Sequence, residues 1–193
     1  YVYLKNYVTP SYLVKQVNLD FNIDEKITVL KSQFYLQSNK KNNEKEDLIL
    51  DGEQIKLKKL SINRRNINLK SVAFKKGKMI ISKDFLKRQN FTIEMENHID
   101  PSSNKSLEGL YLSDDIICTQ CEPEGFRKIC YSIDRPDILA TYKVRLRGPY
   151  KCLLSNGNQV KKSRNFAEWD DPFPKPTYLF AIVAGDLNFH QDE

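Results

Sequence analysis

VNLDFNIDEKITVLKSQFYL, residues 17–36, decides the fold. Val17, Leu19, Phe21 and Ile23 alternate with Asn18, Asp20, Asn22 and Asp24. A period of two places one set of side chains on each face of an extended chain, so this is a strand with one wet side. The polar Asp24-Glu25-Lys26 turns the chain, and ITVLKSQFYL (27–36) supplies a second strand. Together they predict an opening β-hairpin.

Working outward, the same grammar repeats. SNKKNNEKED (38–47) reads as a polar loop, followed by a short buried strand at Leu48-Ile49-Leu50 that stops at the turn pair Asp51-Gly52. Further short strands are expected around 54–62, 67–74, 78–82 and 91–96, with a single helical turn at most within 82–89. Strands spaced about ten residues apart predict a β-sandwich. Beyond residue 138, LATYKVRLR (139–147) alternates again, with Ala140, Tyr142, Val144 and Leu146 facing in. CLL (152–154) is a short strand ended by SNGN (155–158), and polar residues 159–165 lead to Trp169. The three prolines of DPFPKP (171–176) predict an extended connector and not a ladder strand. YLFAIVAGDL (178–187), the most apolar run, is expected to be a fully buried central strand. The fold class is therefore all-β, an antiparallel β-sandwich. The chain reads as one domain, residues 1–193; its polar end, NFHQDE, suggests a cut at a domain boundary, and the lack of an initiator Met suggests a start upstream of Tyr1.

Composition narrows the function. Hydrophobic residues at 40% and charged residues at 29% fit a globular protein, and seven glycines argue against a Gly-rich nucleotide site. No apolar run approaches the roughly 20 residues of a membrane span, so no membrane partner is expected. Four cysteines are too sparse for a disulfide-stapled module, which points to reduced thiols and a cytoplasmic setting. The net charge of +6 is uneven: residues 56–90 carry twelve Lys or Arg against the single acid Asp84. Such a block suits a polyanion. Here the cations are interleaved with apolar residues and only Phe74 and Phe85 are available for base stacking. A lysine-coated sheet edge is the plainer reading, and no nucleic-acid partner is expected.

The densest chemistry lies in LEGLYLSDDIICTQCEPEGFRKICYSIDRPD (107–137). Cys118 and Cys121 form a C-x-x-C, but a structural zinc site needs two further ligands at matching spacing, and Cys130 and Cys152 stand alone. His98 and His190 are far apart, and no H-E-x-x-H, G-x-S-x-G or P-loop occurs. Within TQCEPEGFRK (119–128), Gln120 and Glu122 sit two apart and point the same way in extended chain. An amide and a carboxylate so placed can hold a cationic amine. The ordinary alternative is that Glu122 or Glu124 pairs with Arg127 across a turn.

Residues 107–137, with LLSNGN (153–158), WDDPFPKP (169–176) and YLFAIVAGDL (178–187), closely resemble the N-terminal domain of bacterial aminopeptidase N, of the gluzincin group of zinc metallo-aminopeptidases. YLVKQVNLDFNID (12–24) and LILDGE (48–53) fit the same domain, so the resemblance covers essentially the whole chain. It implies a saddle-like β-sandwich packed over a catalytic domain of the same polypeptide. That domain would carry H-E-x-x-H, a downstream Glu ligand and G-x-M-E-N, none of which occurs in residues 1–193. Zinc is thus implied for the parent enzyme and not for this chain, which alone is expected to hydrolyse no peptide. The resemblance assigns Glu122 to the free α-amine at the peptide substrate's N-terminus and Gln120 to the pocket for its first side chain. Relatives often join this Glu to a small non-proline residue through a cis bond; Pro123 stands there here, and a cis Glu122-Pro123 bond that shapes the site is expected. Two other readings make different forecasts. A free-standing polyanion-binding module would use the basic 56–90 region. A purely structural or oligomerisation domain would tie Gln120 and Glu122 up internally.

Overall fold

The two alternating segments at the start of the chain form a long antiparallel pair. The computed structural model describes residues 3–39, 46–188 and 190; the expected loop at 38–47 and the polar tail lie mostly outside them. The strands in chain order are β1 (Tyr12–Asn22), β2 (Thr28–Ser38), β3 (Leu48–Asp51), β4 (Lys56–Ile62), β5 (Arg65–Asn66), β6 (Ala73–Lys75), β7 (Lys78–Ile81), β8 (Asn90–Ile99), β9 (Gly109–Ser113), β10 (Ile116–Gln120), β11 (Ala140–Arg147), β12 (Cys152–Ser155), β13 (Asn158–Ser163), β14 (Phe166–Lys175) and β15 (Ile182–Gly185).

They assemble into three sheets: eight strands in the order β13-β14-β11-β1-β2-β8-β4-β5, four in the order β12-β15-β10-β9, and three in the order β3-β7-β6. Pairing is antiparallel except between β1 and β11, which run parallel. On β1, Tyr12 and Val14 face the core from even positions while Val17, Leu19 and Phe21 do so from odd ones. The two sets are out of phase by one residue. A register shift between Val14 and Gln16 absorbs it, as a β-bulge does.

One face of the large sheet supplies Leu19, Leu30, Ile93, Val144 and Leu146 to the core, and the smaller sheets answer with Met79, Ile81, Leu110, Ile117 and Ala184. The other face is polar, with a depression of about 460 Å³ lined by Lys31, Gln33, Glu94, Lys143 and Arg145 among others. Phe180 links the layers: its ring lies 6.3 Å from Phe21, 5.8 Å from Tyr142 and 5.3 Å from Phe126.

Four local expectations need correction. Residues 171–176 are largely strand, because β14 continues to Lys175. Asp171 pairs with Tyr142 and Lys175 with Ala140, and Pro172 and Pro174 fall in the register shift between those pairs, where no ladder N–H is required. The apolar run 178–187 contributes only Ile182–Gly185 as strand, although β15 does sit in the middle of its sheet. Its first part is a 3₁₀ turn, Thr177–Leu179, with Leu179 45% exposed. The Asn156 side chain satisfies the Leu179 carbonyl and the Ala181 N–H in place of a ladder. Within 67–74 a 3₁₀ turn capped by Asn68 precedes the short β6. The polar residues 159–165, read only as leading to Trp169, lie largely in the edge strand β13 (Asn158–Ser163); every residue in it is exposed, so it shows no alternation.

Candidate functional site

The 107–137 stretch begins as a hairpin, β9 and β10 turning at Asp114-Asp115, and leaves the sheet after Gln120. Along β10 the side chains go from buried (Ile117) through half-buried (Cys118, Thr119) to exposed (Gln120), and Cys121 then turns into the core. The chain closes at once, for the Gly125 N–H donates to the Cys121 carbonyl at 2.8 Å. Glu122, Pro123 and Glu124 are carried outward on this loop, all exposed. The Glu122-Pro123 bond is cis, as expected at this position. Gln120 Nε2 donates to the Glu122 carbonyl at 3.3 Å, so the amide leans across the loop it introduces.

Two glycines set how tightly the loop sits. A Cβ on Gly125 would overlap the Gln120 carbonyl oxygen and lie 3.0 Å from the Gly109 nitrogen. Gly109 itself has φ +74°, in the left-handed region, and a Cβ there would lie 2.6 Å from that of Lys128. Gln120 and Gly109 are direct partners in the β9–β10 register, so the turn folds back onto the strand pair that launched it.

Behind the loop lies a buried polar cluster. The Asp134 carboxylate accepts from the Arg127 Nε at 2.9 Å, the Arg127 backbone N–H at 3.2 Å and the Thr177 hydroxyl at 2.5 Å. Arg127 Nη2 donates to the Asp134 carbonyl at 3.3 Å, and Nη1 lies 3.1 Å from Glu124 Oε2. Burial disfavours the Arg127 charge, but the hydrogen bond and charge of Asp134 outweigh it and hold the guanidinium pKa above its ordinary value. Of the two acids able to pair with Arg127, the structure selects Glu124. The Glu122 carboxylate makes no hydrogen bond or ion pair among the described residues. The Glu122 carboxylate is thus not tied up internally, as a purely structural domain would require, whereas Gln120 spends one amide N–H on the Glu122 carbonyl.

The other candidates do not converge. Cys118 is half-buried and faces Tyr111 across the ladder, whereas Cys121 points inward. Burial, aided by the Asp134 charge, pushes the Cys121 thiol far above the usual range. Cys130 is sealed between Ser32 and Asn97 at 3.1 and 3.2 Å. Among the described residues no three His, Cys, Asp or Glu side chains are placed to hold a metal ion. His98 lies on β8 with Nε2 3.6 Å from Glu96. The basic 56–90 block is divided between β4–β5 of the large sheet and β6–β7 of the three-stranded sheet, and Lys59 and Lys78 are paired with Glu96 and Asp51. What the loop presents is one open carboxylate beside an amide. Such an arrangement can accept a cation that carries hydrogen-bond donors. Residue-by-residue reading did not find Asp134 or Thr177, which join the loop through contacts distant in the chain.

Similarity to known proteins bears on this loop. A profile of the Peptidase M1 N-terminal domain matches residues 9–179. Aminopeptidase N of Haemophilus influenzae is 39% identical over 99% of this chain and 22% of its own length. Among solved structures, Legionella pneumophila aminopeptidase A in complex with aspartic acid superposes with a TM-score of 0.88 and 33% identity, over 96% of this chain and 22% of that one. An M1 zinc metallopeptidase from Deinococcus radiodurans, 15% identical with a TM-score of 0.72 over 91% of this chain and 42% of that one, shares the fold. The chain spans about a fifth of the length of the curated relatives it matches, 22% in each of the first three.

Proposed function

The chain belongs to the peptidase M1 N-terminal domain family, and from that premise we propose that it is the part of a longer zinc aminopeptidase that receives the free α-amine of a peptide. One observation carries this: of two acids two residues apart, Glu124 is engaged by Arg127 while Glu122 is left open and exposed. An α-ammonium offers the donors that an open carboxylate lacks. Each charge-assisted hydrogen bond so formed contributes about 1.5–3 kcal/mol. A carboxylate fixed at one end of the cleft measures the distance from the amine to the scissile bond, which restricts cleavage to the first residue. Gln120, exposed at the strand end beside it, lines the space for the first side chain.

The zinc and the groups that act with it belong, in this proposal, to a catalytic domain of the same polypeptide, which the β-sandwich scaffolds. Bound there, the metal would polarise the scissile carbonyl and activate water. The described residues of this chain do not fit it, since no metal-ligating cluster converges among them. This chain's own part is to bind and orient. We also assign the enzyme to the cytoplasm, a reading supported by four cysteines that are all free thiols.

The test is Glu122→Gln in the full-length enzyme, assayed on an amino-acid anilide. Loss of the charge should lower kcat/KM about 10- to 100-fold. Unchanged kinetics would sink the assignment.

A further inference from the structure

The loop that carries Gln120 and Glu122 is held at both ends by one short segment, residues 177–182. At its front, the Thr119 hydroxyl accepts from the Ile182 N–H at 2.9 Å and lies 3.4 Å from the Ile182 carbonyl. At its rear, Phe126 packs edge-on against Phe180, and the Thr177 hydroxyl reaches Asp134, which in turn holds Arg127. Asp134 is 5% exposed, and its two carboxylate oxygens are divided between these partners, one to Thr177 and one to Arg127.

The placement of Arg127 matters because of what else it could reach. Its guanidinium already touches Glu124, whose neighbour two residues back is Glu122. A guanidinium that swung onto Glu122 would present to it the same charge and donors as a substrate ammonium. Asp134 binds Nε, while its own backbone carbonyl binds Nη2, leaving only Nη1 for the loop.

We propose that Asp134, seated by Thr177, is a positioning residue of the amine-binding site: it locks Arg127 onto Glu124 and so keeps Glu122 free for the incoming α-ammonium. The inference rests on the amine-binding role proposed above. It adds a specific dependence of substrate affinity on two side chains that never touch the substrate.

The experiment uses the full-length enzyme with an amino-acid anilide, measuring KM and kcat separately. Thr177→Val removes one hydroxyl without changing charge, and Asp134→Asn removes the charge that holds Arg127. Each should raise KM about tenfold with kcat within about twofold, while Thr177→Ser retains wild-type KM. Adding Arg127→Met to Asp134→Asn should restore KM most of the way, because the competing cation is gone. In a Glu122→Gln background, Thr177→Val should have no further effect on KM. If Glu122→Gln impairs the enzyme but Thr177→Val and Asp134→Asn leave KM unchanged, the positioning role is wrong and the amine-binding role stands. The positioning role is equally wrong if Thr177→Val is fully additive with Glu122→Gln, or if Arg127→Met gives no recovery. If Glu122→Gln is itself silent, the amine-binding role falls and this inference with it. Should Asp134→Asn fail to fold, Thr177→Val, Thr177→Ser and the additivity test decide alone.

Discussion

Replacing Gly125 by alanine tests how tightly the loop is seated. The new methyl would overlap the Gln120 carbonyl oxygen and stand 3.0 Å from the Gly109 nitrogen and 3.2 Å from the Gln120 carbonyl carbon. All three are backbone atoms of a paired strand register, so no side chain can rotate away. Relief requires the 125–128 turn to lift, by a distance on the order of 1 Å to regain ordinary contact. That movement strains the Gly125 N–H to Cys121 carbonyl bond and draws Phe126 from its place against Phe180. Overpacking of this kind costs about 1–3 kcal/mol, and the cost approaches the ~3–5 kcal/mol of a lost buried phenylalanine if Phe126 is unseated. At about 2–4 °C per kcal/mol for a chain of this size, overpacking alone should shift thermal unfolding of the 193-residue chain down by roughly 2–12 °C. Gly185→Ala is the control, because its methyl would meet first the Ile116 side-chain carbon Cγ1, at 3.1 Å, which can move. A Gly125→Ala protein as stable as Gly185→Ala would refute the argument that close backbone approach positions the loop.

Two further outcomes follow from the core. Burial pushes the Cys130 thiol up to about 12, above its ordinary 9.0. The unfolded chain therefore releases this proton first, and stability should fall as pH rises through that window, by up to about 1.4 kcal/mol per unit, with Cys130→Ala showing a shallower slope in denaturant midpoints between pH 8 and 10. Equal slopes for the two proteins would contradict it. Phe180→Ala should cost about 3–5 kcal/mol, since the ring bridges Phe21, Tyr142 and Phe126. Phe173→Ala, at a ring 72% exposed, should change stability by less than about 0.5 kcal/mol. Similar unfolding midpoints for the two variants would show that Phe180 does not link the layers.

Alternation at 17–24, 27–36 and 140–147 was legible because it is local: a strand with one wet face writes its period into consecutive residues. The pair Gln120 and Glu122 was legible too, by spacing and by resemblance to a known domain. Local reading failed where the deciding partner was remote. Pro172 and Pro174 argued against a strand, yet a register shift opposite Thr141 excuses them from donating. Tyr178 and Leu179 looked like strand, yet Asn156 supplies the hydrogen bonds that a ladder would have given.

Residue pattern alone prescribes an all-β chain, its opening hairpin and a loop bearing an amide and a carboxylate two residues apart. Which acid on that loop is open is settled by contacts made far along the chain. That choice depends on Asp134, which meets Arg127 from seven residues away and Thr177 from 43. A buried carboxylate takes the donors that folding brings to it, and no pattern in the neighbouring residues records which those will be.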